Sequence, residues 1–232
     1  MNEYLIHDTT LENIANAIRE KTGKSDLIPV TNLAEEIKNL PSGSTDFAKQ
    51  VLERTVTTIT AKDLEELGLT SIGENAFTKC DRLTSVEISY SITSIGDYAF
   101  SNCNNLPSIK IPNSITKIND YAFTSCTKLT SIEIPESVTS IGANAFSFCY
   151  ELTSVEIPES VTSIGGSAFN YCKKLDTVIM KPIKPPTITV STYGSTFPTN
   201  VAIFIVPKGY GDVYKSATNW STLASKIVEA EE

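Results

Sequence analysis

The side chains of this chain best suited to thiolate or imidazole chemistry are one histidine, His7, and five cysteines, Cys80, Cys103, Cys126, Cys149 and Cys172. A thiolate beside an imidazole makes a nucleophile, and clustered thiolates and imidazoles hold zinc. The spacing points elsewhere. One histidine excludes a histidine-pair metal site and leaves any Ser-His-Asp or Cys-His arrangement dependent on a residue near the N-terminus. The cysteines are 23 residues apart, so all five hold one position of a repeat and point the same way. Free cysteine is among the most buried residue types, and the set reads as a ladder of buried thiols. Parallel Cβ vectors suit a disulfide poorly, and an odd count leaves one thiol unpaired.

Other chemical motifs fail on spacing. Gly23-Lys24-Ser25 matches the end of a phosphate-binding loop, but the glycine required five positions earlier is Ile18. No G-x-G-x-x-G follows a strand, and the acidic residues lack the spacing of a calcium loop. Asn219-Trp220-Ser221 fits an N-glycosylation sequon, a three-residue match of low specificity. No catalytic, cofactor-binding or metal-binding residue and no cofactor is expected, and the chain reads as a non-enzyme.

The cysteines are positioned by a longer pattern. Ile72-Gly73 recurs as Ile95-Gly96, Ile118-Asn119, Ile141-Gly142 and Ile164-Gly165, and Ala76-Phe77 recurs at 99–100, 122–123, 145–146 and 168–169. Each cysteine follows its Phe by three, and a leucine (83, 106, 129, 152, 175) follows each cysteine by three. Such a unit cannot bury its apolar face alone and must stack on copies of itself. From the leucine the chain reads L-x-x-I-x-I, as in Leu129 to Ile134, with Pro135 closing the segment. That is a strand with Ile132 and Ile134 inward and Ser131, Glu133 and Pro135 outward. Stacked copies form a parallel sheet whose solvent face carries columns of equivalent residues about 4.8 Å apart. Val138-Thr139-Ser140-Ile141 is a second alternation. Gly142 then permits a turn, and Ala143 to Phe148 forms a short helical or 3-10 segment.

The pattern C-x-x-L-x-x-I-x-I-P-x-x-V-x-x-I-G-x-x-A-F resembles the BspA-like class of leucine-rich repeats, widespread in bacterial surface and adhesion proteins. The resemblance implies a leucine-rich-repeat solenoid with short parallel strands on one face and short helical or 3-10 segments on the other. A helical hairpin is expected at the N-terminus and a helical cap at the C-terminus. Such solenoids host many recognition tasks, so the resemblance implies a fold more than a ligand.

The ends depart from the repeat. Residues 1–40 read as two helices: Thr9 to Glu12 forms a capping box, Leu11, Ile14, Ala15 and Ile18 make one apolar stripe, and a second helix runs from Asn32 to Asn39. The run from Tyr4 to Gly23 also resembles a short N-terminal module of phage and prophage tail-associated proteins, which implies a piece that docks to a larger assembly. A pair of helices that merely caps the solenoid is the other reading. Residues 41–46 are a linker and 47–71 a degenerate capping repeat, in which Val56 to Ile59 mimics Val138 to Ile141 and Lys62 to Leu67 inserts an acidic helix. Five repeats fill 72–181. Residues 182–232 form an irregular repeat and a helical cap, with one last strand at Val201 to Pro207 and helical spacings through Val213, Tyr214, Ala217, Trp220, Leu223, Ala224 and Ile227. Trp220 reads as a plug over the last repeat.

The surface then holds the candidates for binding. One column of the sheet face is Ser85, Ser108, Ser131, Ser154 and Thr177; the next is Glu87, Lys110, Glu133, Glu156 and Ile179. Hydroxyls beside carboxylates suit polar recognition, or make an ordinary solvated face. Glu133 and Glu156 should lie opposite each other, a mildly unfavourable pair. On the helical edge Phe148 and Tyr171 are equivalent, with Tyr150 near, and Tyr98 and Tyr121 form another pair. Lined-up aromatics suit protein or sugar contacts, or cement one repeat to the next.

A net charge of −8 and a pI near 4.8 argue against nucleic acid, whose phosphates need a basic face. No apolar run is long enough for membrane insertion, and the first residues lack the basic start and apolar core of a signal peptide. The partner expected is therefore a protein or glycan on a cell surface, with the chain itself at a cell surface or virion-associated. A bacterial adhesin binding host protein is the alternative.

Overall fold

The computed structural model describes residues 56–66, 69–189 and 195–231. The expected N-terminal helices and linker lie outside these residues. The chain winds as a parallel β-solenoid of about seven turns. The first ladder of strands pairs Thr58–Ile59 with Ser85–Val86 and Ser108–Lys110 with Ser131–Glu133, then runs through Ser154–Ile157, Thr177–Met180, Ile203–Val206 and Ile227–Glu229. A second side, the second ladder, pairs Ser71–Ile72 with Ser94–Ile95 and, as a separate sheet, Lys117–Ile118 with Ser140–Ile141, Ser163–Ile164 and Thr187–Ile188. Apolar residues of both ladders point into one continuous core.

The third side of each coil departs from the expected helical or 3-10 segment. It is a run of turns with two non-glycine residues at left-handed φ, four positions apart: Asn75 and Lys79, Tyr98 and Asn102, Tyr121 and Ser125, Asn144 and Phe148, Ser167 and Tyr171. Alternating handedness turns the N–H groups of every second residue toward the next coil. Asn144, Phe146 and Phe148 donate to the carbonyls of Gly166, Ala168 and Asn170 at 3.0, 2.8 and 2.9 Å. A helix would turn these donors back on its own chain, whereas here they form a third inter-coil ladder. The left-handed conformation costs a non-glycine residue about 1 kcal/mol, and inter-coil bonds and ring stacking offset it.

Inside that side the phenylalanines stack. Phe77, Phe100, Phe123, Phe146 and Phe169 have neighbouring centroids 5.1 to 5.5 Å apart and near-parallel planes. Phe197 extends the column at 5.5 Å, so Thr196-Phe197 takes the place of an Ala-Phe pair in the irregular last repeat. The thiols run beside them. Cys103, Cys126, Cys149 and Cys172 each donate to the Phe carbonyl 26 residues earlier, at 3.1 to 3.3 Å. All five cysteines are buried thiols. Burial pushes Cys126 and Cys172 up to about 12 and raises Cys103 and Cys149 as well, so these four thiols stay protonated and inert at neutral pH. A thiol reagent should label none of them in the folded protein and all five after denaturation; fewer than five would reveal a disulfide.

Pro135 was expected at the surface but is buried, as are Pro112 and Pro158. The strand ends at Glu133, and the Val138 N–H closes a turn on the Pro135 carbonyl at 3.0 Å. Val56 to Ile59 also needs correction. Thr58 pairs with Ser85, so the segment matches Leu83 to Val86 of the first ladder rather than a second-ladder segment. The offset of 27 residues exceeds the repeat by four, and the helix Ala61–Glu66 takes up the excess. Thr60 and Asp63 cap it reciprocally, the Asp63 carboxylate accepting from the Thr60 N–H at 2.8 Å.

Beyond Met180 the first ladder continues at an offset of 26, Thr177 facing Ile203. This strand is followed by another, Ile227–Glu229, where helix was expected. Between them lie a helix at Gly211–Ser216 and a 3-10 helix at Ser221–Lys226. Trp220 is fully buried among Phe197, Phe204 and Tyr214. Its ring N–H donates to the Pro186 carbonyl and the Tyr214 hydroxyl to that of Pro182, both at 2.7 Å, which ties down the proline-rich stretch. The Glu229 carboxylate accepts from the Gly209 and Gly211 N–H groups at 2.9 and 2.8 Å, bonds that hold it below the usual carboxylate range.

Candidate functional site

On the sheet face the candidate residues fall into register. Ser108 faces Ser131, Ser154 faces Thr177, Glu156 faces Ile179, and Ser85 and Glu87 lie one coil before Ser108 and Lys110. Lys110 stands between Glu87 and Glu133, so charges alternate there. Hydrogen-bonded pairing lapses between Ser131–Glu133 and Ser154–Ile157, the step where Glu133 and Glu156 would be opposed. Glu156 instead meets Lys181 at 3.4 Å. Each carboxylate of this column therefore has a lysine as neighbour or partner, and both members of the Glu156 pair are about half exposed. Such pairs contribute roughly 0 to 1 kcal/mol.

The turn side gathers the aromatics. Phe148 and Tyr171 occupy the second left-handed position of adjacent coils, with φ of 63° and 60°, and their rings stack at 4.6 Å. A left-handed backbone aims both side chains outward from the corner, and they remain 36% and 50% exposed. Tyr150 meets Phe148 edge-on at 6.2 Å, and the Lys173 ammonium lies 4.2 Å from the Tyr150 centroid. Glu151 and Lys174 form an ion pair alongside at 2.5 Å. Lys173, Lys174 and Glu151 were not singled out from the sequence. The available signal was their position two and three residues after the left-handed column, in the coils that carry the aromatics.

Tyr98 and Tyr121 hold the first left-handed position and stack at 4.5 Å, both half-buried. Burial and the Tyr121 hydroxyl raise the Tyr98 pKa. The carboxylates beside them are engaged with the neighbouring coil: Asp97 accepts from the Asp120 N–H at 3.2 Å and Asp120 from the Ala143 N–H at 2.8 Å. This pair cements coils together. Asn219 of the sequon is likewise engaged, its side-chain amide donating to the Ile188 carbonyl at 2.8 Å. His7 lies outside the described residues, among which no cluster of three metal-ligating side chains occurs. No described helix is long and apolar enough to cross a membrane.

A family model described as BspA type leucine rich repeat region matches residues 45–190 in six copies. No curated protein matches the chain. Among solved structures it is similar to the pneumococcal vaccine antigen PcpA, at 20% identity and a TM-score of 0.52 over 70% of this chain and 40% of that one. It is also similar to a leucine-rich repeat protein from Bacteroides ovatus, at 27% identity and 0.44 over 61% and 44%. A third is a leucine-rich repeat protein from T. pallidum, at 26% and 0.46 over 65% and 67%. The chain thus spans under half the length of the first two. The likeness to the pneumococcal antigen is one of fold.

Proposed function

The chain belongs to the BspA type leucine-rich repeat family, and from that premise we propose that it is a non-catalytic recognition module for a protein or glycan on a cell surface. The observation that carries this reading is the exposed Phe148–Tyr171 stack. Tyr98 and Tyr121 stack at left-handed positions too but stay half-buried, whereas Phe148 and Tyr171 leave a stacked aromatic surface open to solvent on a rigid frame. The rigid solenoid holds these rings without further ordering on binding, which favours affinity. The resemblance of the Tyr4 to Gly23 segment favours a phage or prophage tail-associated version, docked through its N-terminus. An adhesin acting on host protein is the second reading, supported by family membership alone.

Fluorescently labelled full-length protein should bind bacterial cells saturably, and the double variant Phe148→Ser/Tyr171→Ser should lose that binding while remaining folded. Loss in Glu133→Ala/Glu156→Ala instead would move the site to the sheet face. Saturable binding to host matrix proteins, without binding to bacteria, would select the adhesin reading. Binding to neither surface would sink the proposal.

A further inference from the structure

Neighbouring coils carry side chains of different size around the corner beside the Phe148–Tyr171 stack. At equivalent positions the outward residues are Asn104, Asn105 and Pro107, then Thr127, Lys128 and Thr130, then Tyr150, Glu151 and Thr153. The step from small polar groups to an aromatic ring leaves an open depression lined by Pro107, Thr127, Lys128, Thr130, Tyr150 and Glu151. Tyr150 is its aromatic wall. Lys173, from the following coil, covers one face of that ring at 4.2 Å, and Phe148 braces its edge at 6.2 Å. Tyr150 and Thr127 line the depression together.

The polar groups around it are held in place yet not exhausted. Lys128 Nζ donates to Asn105 Oδ1 at 2.6 Å, the Thr127 hydroxyl donates to the Asn104 carbonyl at 3.3 Å, and Glu151 is fixed by Lys174. An ammonium has three protons, and a carboxylate has about four acceptor sites. Around the depression Lys174 neutralises Glu151, Lys128 bonds Asn105 and Lys173 lies over the Tyr150 ring, so the rim is net positive and repels a polycation, while the aromatic wall offers a bare phosphate nothing to pack on. The openness of the depression also suits no apolar protein anchor, which needs an enclosed, desolvated pocket. A pyranose ring matches it. The C–H face of such a ring lies on an aromatic face while its hydroxyls both donate and accept.

We propose that this depression binds a neutral pyranose residue of a glycan, with the sugar stacked on Tyr150 and its hydroxyls bonded to Lys128, Thr127 and Glu151. This rests on the recognition reading above and names its ligand class. The test is calorimetric titration of the full chain with three neutral trisaccharides: maltotriose, mannotriose and triacetylchitotriose. At least one should bind with a dissociation constant at or below the millimolar range. Tyr150→Ala should weaken that binding by about tenfold or more, while Tyr150→Phe and, at an exposed ring on a distant coil, Tyr90→Ala should leave it intact. Lys128→Ala, which removes only a rim donor, should weaken it several-fold and serves as the test if Tyr150→Ala fails to fold. Binding of none of the three, or binding that survives both Tyr150→Ala and Lys128→Ala in folded protein, overturns the proposal. Cell binding that persists under either of those outcomes leaves the recognition module standing with a protein ligand. Loss of cell binding as well removes both.

Discussion

Replacing Phe123 with alanine should destabilise the protein by about 3 to 5 kcal/mol, the range for large aromatic truncations in cores. Phe123 is fully buried and stacks on Phe100 at 5.5 Å and Phe146 at 5.4 Å, so its loss opens a cavity at two interfaces at once. Its backbone is tied to the following coil: the N–H donates to the Ala145 carbonyl at 2.9 Å, and its carbonyl accepts the Cys149 thiol at 3.3 Å. A solenoid's stability is roughly the sum of its repeats and their nearest-neighbour interfaces, so a central break cannot be made good elsewhere. Glu133→Ala removes an exposed side chain and should move stability by no more than about 0.5 kcal/mol. Denaturant titration of both variants checks the pair. Similar shifts would show that inside and outside have been assigned the wrong way round.

The glycines after the second-ladder isoleucines should be nearly as sensitive, for a different reason. At Gly165 a Cβ would come within 2.6 Å of the Gly142 carbonyl carbon and 2.8 Å of the Ala143 Cα, both backbone atoms that cannot swing aside. The Gly165 N–H meanwhile donates to the Ile141 carbonyl at 2.8 Å. Gly165→Ala must push the coils apart and stretch that bond. Overpacking costs about 1 to 3 kcal/mol, and a weakened buried hydrogen bond adds about 1 kcal/mol, so a loss of about 2 to 4 kcal/mol is expected. The molecule contains its own control. Asn119 stands at the equivalent position, and there the bond to the preceding isoleucine carbonyl, Ile95, comes from the side-chain amide at 2.8 Å. Gly165→Asn should therefore retain more stability than Gly165→Ala in the same denaturant titration. The reverse order would mean that the close approach is not what keeps glycine there.

These two sites differ in how far they were legible. Phe123 was readable because burial follows from repetition: an apolar residue recurring at one position of a stacked unit has nowhere to go but the core. Glycine at 165 was also visible, but its reason was not. The repeat pattern assigns it to a turn, yet Gly209, with φ of +83°, is the left-handed glycine among the described residues. The left-handed positions within the repeats hold asparagine, serine, lysine and aromatics, which carry no common signature. The binding candidates show the same division. Phe148, Tyr150 and Tyr171 could be aligned by counting, whereas the approach of Lys173 to Tyr150 and the step down to Thr127 depend on how adjacent coils differ.

The sequence by itself determined the period, the solenoid and the inward column of leucine, isoleucine, phenylalanine and cysteine, because identical units can bury an apolar stripe only by stacking in register. The tertiary structure decided what depends on the neighbouring coil. Carbonyls of the next coil convert an expected helical segment into a third hydrogen-bonded ladder, and the backbone of the preceding coil reserves its position for glycine. Pairing, rather than resemblance of letters, assigned Val56 to Ile59 to the first ladder. Inter-coil bonds and contacts are set by distances across 23 residues of chain, which a pattern within one repeat does not contain.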